Sequence, residues 1–259
     1  MIISTKSWKE IETYCKAVSS GTWVIWDVDG TLIYADDIVF ASPEEIYCDY
    51  FKQAKLHELQ GGKNREKQDK FQDLWYQLRM SLPTYLMDKR VPDTIHELQQ
   101  RNITTFALTC LLAQTKYRNC TDWREQQLRA YGIDFSQAFP GTSLMKFEDI
   151  PLNGEEIVGS PELLHGIFYT HHCDKGKCLQ SLLKQWPYKP KSILFVDDVL
   201  QNLQSVEKVA QTWDIAFVGI FYQKNQDFSK SSDAHFIERW ERFKMTGIWE
   251  RISVVLQKS

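Results

Sequence analysis

Residues 24–33, Val24-Ile25-Trp26-Asp27-Val28-Asp29-Gly30-Thr31-Leu32-Ile33, place two acids one residue apart directly after an apolar run. Thr22 to Trp26 read as a short buried strand. The chain stops being core where Asp27 begins, and Gly30 permits the tight turn that has to follow. Together these features predict chemistry at a strand end. A plain acidic turn is the alternative for so short a match taken alone.

Upstream, Trp8, Ile11, Cys15 and Val18 fall on one helical face, and Ser7 and Glu10 have capping-box spacing, so an amphipathic helix is expected before the strand. Met1 to Ser20 also carry Lys6, Glu10, Glu12 and Lys16, which interrupt any apolar run of the kind a signal peptide or membrane span needs. A cytoplasmic protein is therefore expected. Downstream, Ile33 to Ser42 read as loop. Residues 43–87 then read as two helices broken at Gly61-Gly62: Ile46, Tyr47, Tyr50, Phe51 and Ala54 form one apolar face, and Phe71, Leu74, Trp75 and Leu78 another.

Past this segment, helices and strands alternate. Pro92 to Gln100 read as helix, Ile103 to Leu108 as a strand ending at Thr109, and Asp122 to Tyr131 as helix. Asn153-Gly154 suggests the turn of a hairpin over about 152–170. Lys175-Gly176 opens a helix through Lys184, and Ile193-Leu194-Phe195-Val196 is a fully apolar strand running into Asp197-Asp198. Asn202, Leu203 and Val206 sit on a helix, and Ala216 to Phe221 make a further strand. The alternation predicts a doubly wound, mostly parallel α/β sheet. Residues 1–42 and 88–222 would form its core, 43–87 a small helical cap insertion, and 223–259 a helical extension.

Composition narrows the partners. A formal charge of −3 over 259 residues gives no basic field, so nucleic acid is not expected. Six cysteines without CxxC spacing read as reduced thiols. His171, His172, Cys173 and Cys178 match no common zinc pattern. A cysteine phosphatase needs an arginine six residues after its thiolate, where Cys173 has Leu179 and Cys110 has Lys116.

The phrase Asp27-Val28-Asp29-Gly30-Thr31, followed in order by Thr109, Lys175 and Asp197-Asp198, resembles the haloacid dehalogenase superfamily and its Mg²⁺-dependent phosphatases. The resemblance runs from about residue 20 to 222. It implies that Asp27 attacks phosphorus and forms an aspartyl-phosphate, and that Asp29 protonates the leaving oxygen and then activates water. Thr109 and Lys175 would bind the transferring phosphoryl oxygens, with Lys177 the second candidate for the lysine. Crowded acids call for a hard divalent cation, Mg²⁺. The family pattern gives it Asp27, the Asp29 backbone carbonyl and one of Asp197 and Asp198. The favoured assignment is Asp198, with Asp197 holding Lys175.

A two-helix cap implies an open site, hence a phosphoprotein substrate with phosphotyrosine favoured; a small-metabolite phosphatase is the alternative. Lys175-Gly176 after Gly166-Ile167-Phe168-Tyr169-Thr170 is similar to a branch found in intracellular bacterial pathogens, which implies delivery into a host cell. Asp36 and Asp37 read equally as substrate contacts or a solvated turn. Phe236, Trp240 and Phe243, then Trp249, Ile252, Val255 and Leu256, recur at helical spacing beside arginines and lysines. They read as helices packing on the core or, as a separate class of function, docking a partner or a membrane surface.

Overall fold

The computed structural model describes residues 1–42, 44–60, 64–150, 159–224 and 233–254. The chain runs β1 (Ile2–Thr5), α1 (Trp8–Ala17), β2 (Thr22–Trp26), β3 (Ile33–Ala35), α2 (Ile38–Ala41), α3 (Glu44–Glu58), α4 (Arg65–Ser81), β4 (Thr84–Leu86), α5 (Val91–Gln100) and β5 (Thr104–Thr109). It continues through α6 (Thr121–Arg129), β6 (Leu144–Lys146), β7 (Glu162–Leu164), β8 (Ile167–Tyr169), α7 (Lys175–Gln185), β9 (Ser192–Asp197), α8 (Leu200–Thr212), β10 (Ala216–Tyr222) and α9 (Phe236–Thr246).

All five residues of β2 are buried, and the four apolar ones divide by parity between two cores. Trp23 and Ile25 face one core, Val24 and Trp26 the other. That division is what side-chain alternation requires of a strand covered on both faces. Among the described residues the main sheet has eight strands in the order β1-β10-β9-β2-β5-β8-β7-β6. From β1 to β8 the neighbours are parallel, and β7 and β6 add an antiparallel edge. The fold is therefore a doubly wound, mostly parallel α/β sheet. No helix among the described residues is long and apolar enough to cross a membrane.

Several local expectations need correction. Residues 33–42 are not loop: β3 pairs antiparallel with β4, and the two form a ribbon leading out to α3 and α4 and back. Ser7 occupies the N-cap position of α1 without a side-chain cap bond, and its N–H, the donor Glu10 would accept in a capping box, goes to Thr5 Oγ1 at 2.9 Å instead. The hairpin of β7 and β8 turns at His165-Gly166, both at positive φ, while Asn153-Gly154 lies outside the described residues. The edge strands β1 and β6 were too short to show a pattern.

The C-terminal segment packs on the helical insertion rather than on the sheet. Trp240 of α9 lies 5.8 Å from Trp75 and 6.0 Å from Phe71, ring centre to ring centre, and Phe236 lies 4.9 Å from Tyr50. The apolar face of α9 is thus covered by α3 and α4. Gly247, at φ +70°, ends α9 in the left-handed conformation, so Trp249 and Ile252 do not continue a helix. Val255 and Leu256 lie outside the described residues.

Asp36 and Asp37 are neither substrate contacts nor solvated; both are buried. Asp37 Oδ2 accepts from Arg239 Nη2 at 2.8 Å, Trp249 Nε1 at 2.9 Å and the Ile252 N–H at 3.0 Å. Asp36 accepts from the Val254 N–H at 2.9 Å and pairs with Arg251. These two acids pin the end of the described chain to the first residues leaving the core for the insertion. Removing Asp37 would leave the buried Arg239 guanidinium with Asp233 and the Glu250 carbonyl, and would take the acceptor from the Trp249 indole and the Ile252 N–H. We expect Asp37→Ala to cost about 2–4 kcal/mol in urea unfolding through the donors it leaves without an acceptor, and Asp37→Asn, which keeps an acceptor oxygen, to cost less. A loss below about 1 kcal/mol would mean that the pair is not a structural anchor.

Candidate active site

Strands β9, β2 and β5 lie side by side, and their register brings their carboxyl ends to one edge. Trp26 stands beside Val196 of β9 and Ala107 of β5. Asp27 therefore follows β2 where Asp197 closes β9, and Thr109 closes β5 two residues beyond Ala107. In open α/β sheets this edge, at the strand where the winding reverses, is where ligands bind. After Asp27 the chain turns tightly: the Gly30 N–H donates to the Ile33 carbonyl at 2.8 Å, and the Leu32 N–H to that of Val28 at 2.9 Å. Gly30 sits at φ +81°, which a side chain would strain.

Lys175 opens α7, whose N-cap is Asp174, accepting from the Lys177 N–H at 2.8 Å. The next residue explains the Lys-Gly pair. A Cβ on Gly176 would lie 2.6 Å from the Ser205 carbonyl oxygen, so only glycine lets α7 approach α8 this closely. Packing of the two helices drives the Lys175 side chain into the sheet edge, where Nζ donates to Asp27 Oδ1 at 2.5 Å and Asp197 Oδ2 at 2.7 Å. Burial opposes its charge, but Asp197 and Asp27 outweigh burial and keep it protonated. Lys177 points outward on the exposed side of α7.

The Asp197 carboxylate is saturated: besides Lys175 it accepts from the Val199 N–H at 2.8 Å and from Asn202 Nδ2 at 3.2 Å. Asp198 instead lines the cavity shared with Asp27. One oxygen from each of Asp27, Asp197 and Asp198 lies within 4.8 Å of the others. Three carboxylates gathered around one ammonium repel one another. Burial raises the Asp27 carboxyl to about 7, with Lys175 opposing and Asp197 and Asp29 adding to the rise. Asp198 is likewise pushed well up by burial and then by Asp27 and Asp197. A buried oxygen donor set whose charged forms repel one another fits a hard divalent cation.

Asp29 has different company. Arg124 of α6, fully buried, donates to both its oxygens at 2.8 and 2.9 Å, and Arg79 of α4 pairs with it at 2.6 Å. Burial alone would raise this carboxyl, but Arg124 and then Arg79 hold it down at about 2. Neither arginine was found from sequence. The available signal was Arg124 interrupting the buried stripe Thr121-Arg124-Leu128. The Thr109 hydroxyl is fully buried and has no hydrogen-bond partner among the described residues. A buried hydroxyl without a partner is costly unless something else takes its bond.

Helices α3 and α4 cover this edge and enclose a cavity of about 950 Å³ with it. Arg79 thereby joins the insertion to the strand ends. Tyr76 of α4 makes a second join, its hydroxyl accepting from the Leu112 N–H at 2.9 Å.

The protein is an α/β sheet protein with an acid-rich, lysine-bridged site at the ends of three adjacent strands. The chain belongs to the family described as "Protein of unknown function (DUF2608)", whose model matches residues 4–249. It is 23% identical over 241 residues to "Uncharacterized protein RP296" of Rickettsia prowazekii (strain Madrid E), a match covering 92% of this chain and 83% of that one. Among solved structures it is similar to one described as "Phospho-Aspartyl Intermediate Analogue of Phosphoserine phosphatase". There the identity is 14% and the TM-score 0.35, over 77% of this chain and 92% of that one.

The charge balance has a measurable consequence. An acid whose carboxyl is raised in the folded state binds its proton more tightly there than in the unfolded chain, so stability falls as pH climbs through the raised value. Asp29, depressed, has its contribution complete above about pH 4 and adds no slope there. We expect the melting temperature of the metal-free protein to fall between about pH 5 and pH 8, and Asp27→Asn to flatten that fall. An unchanged slope in the variant would show that Asp27 is not the group under strain.

Proposed function

We propose that this protein is a Mg²⁺-dependent phosphatase of the haloacid dehalogenase type, hydrolysing phosphate monoesters through an aspartyl-phosphate on Asp27. One observation carries the reading: at the ends of three adjacent parallel strands, a buried lysine bridges Asp27 and Asp197 beside Asp198 and a partnerless threonine hydroxyl. Each group has a task in phosphoryl transfer.

Asp27 Oδ attacks phosphorus in line; the bond to the leaving oxygen breaks, and water later attacks the same phosphorus, releasing inorganic phosphate and restoring the carboxylate. Lys175, kept charged, balances negative charge that collects on the phosphoryl oxygens and orients the nucleophile. The Thr109 hydroxyl donates to one of those oxygens, which gives the buried group the bond it lacks. Mg²⁺, held by the Asp27 and Asp198 carboxylates and, as in the family pattern, by the Asp29 backbone carbonyl, would supply positive charge against the phosphate.

Asp29 is expected to serve as general acid and then base. With two guanidiniums on it, the carboxylate is both unprotonated and weakly basic, so either half of that role needs one arginine to leave. Arg124 is enclosed by the core, whereas Arg79 belongs to the insertion. A shift of α4 would therefore switch Asp29 on.

Asp27→Asn should lower turnover of para-nitrophenyl phosphate by roughly 10³-fold or more, about 4 kcal/mol of barrier, with the circular dichroism spectrum unchanged. Activity near wild type in a preparation checked for deamidation would remove Asp27 as nucleophile. Chelation with EDTA should abolish release of phosphate and added Mg²⁺ restore it, with Ca²⁺ a poor substitute because its larger, looser shell disturbs in-line geometry. Full turnover in excess chelator would count against the proposed chemistry.

A further inference from the structure

We infer that the cavity under α3 and α4 selects aryl phosphate monoesters, esters in which the phosphate is joined directly to an aromatic ring. The inference rests on the phosphatase reading and adds the class of substrate to it.

The cavity is graded along α4. Arg79 stands at the acidic end, Trp75 one turn away and Gln72 about one turn further, all on the side facing the cavity. Seven residues of helix span about 10 Å, the scale of a phosphate plus one ring. Against Trp75 pack Tyr47 and Phe51 of α3 and Phe40 of α2, and these three form one wall of the cavity. Ring centres of Phe51, Phe40 and Tyr47 lie 5.1, 5.2 and 5.9 Å from that of Trp75.

These rings are set by their own contacts. The Trp75 indole N–H donates to the Tyr47 hydroxyl at 3.0 Å, so its polar atom is already used and the wall presents ring surface. Trp75 is buried behind, while Phe40, Tyr47 and Phe51 are only partly buried and face the space. A volume of about 950 Å³ suits a small ligand, and a wall of aromatic edges and faces favours a planar apolar group against it. The aromatic belt begins one turn from Arg79. A ring bonded straight to the phosphate oxygen reaches it; an alcohol such as serine or glycerol puts hydroxyl and amine groups there instead, and a nucleotide interposes its sugar.

A free aromatic metabolite and a phosphotyrosyl side chain share this chemistry. Binding of non-hydrolysable phosphonates to the full-length Mg²⁺-loaded protein, measured by calorimetry, removes the greater intrinsic reactivity of aryl esters from the comparison. Phenylphosphonate and naphthylphosphonate should bind at least about tenfold more tightly than methylphosphonate, and Phe51→Ala should bring that ratio close to one. Equal affinities in the wild-type protein, tighter binding of adenosine monophosphate than of the aryl ligands, or no binding by any of them would overturn the inference.

Phosphate release from naphthyl phosphate, phosphoserine and acetyl phosphate tests the underlying reading separately. Aryl-selective binding with no turnover of any ester would sink the enzyme assignment, whereas turnover without aryl selectivity would sink only the substrate class. Between the two sources, a phosphotyrosyl peptide with a kcat/KM more than about tenfold above that of free phosphotyrosine assigns the ring to a protein, and parity assigns it to a small molecule.

Discussion

The Lys175 ammonium, enclosed between Asp27 and Asp197, ties together parts of the chain 148 residues apart. Burying such a group costs several kcal/mol unless its partners are in place, and here the partners come from two strands that must be neighbours in correct register. The parallel pairing of β2 with β9, the N-cap at Asp174 and the glycine-only approach of α7 to α8 all serve to deliver one nitrogen to one point. Three carboxylates around that nitrogen cannot all be satisfied by it. Their mutual repulsion is what makes this edge a site rather than a structural ion pair.

The aspartate at position 29 shows a different use of charge. Its two oxygens are shared by an arginine fixed in the core and an arginine from the insertion, so the carboxylate to which we assign proton transfer also fastens the covering helices. Under the proposed function, fastening and catalysis compete for it. An arrangement of this kind makes the position of α4 and the proton affinity of Asp29 two readings of one equilibrium.

Much of the fold was legible because its signals are local. The apolar runs of β2, β5 and β9, the acids that end them and the helix opened by Lys175-Gly176 occupy a few consecutive residues each. The partners of Asp29 were not legible, since Arg124 is 95 residues away in sequence and exposed arginines are the usual case. Asp36 and Asp37 were read as a loop for a similar reason: their partners lie more than 200 residues downstream. Trp249 and Ile252 illustrate the limit of periodicity. Three-residue spacing fits a helix, but Gly247 in the left-handed region ends α9 first; Trp249 then folds back onto Phe236 and Phe243 of α9, and Ile252 is left exposed.

Pinning of the final segment onto Asp36 and Asp37 also imposes an order on biosynthesis. The helices α3 and α4 leave the ribosome long before α9, yet Tyr50, Phe71 and Trp75 bury their rings against Phe236 and Trp240. Domains tend to fold from the amino end as they are made. All strands of the sheet, through β10, are therefore available to assemble while the two covering helices still lack their last partner. A nascent chain in that state exposes an aromatic surface until α9 has emerged, and the ring-walled cavity closes only then.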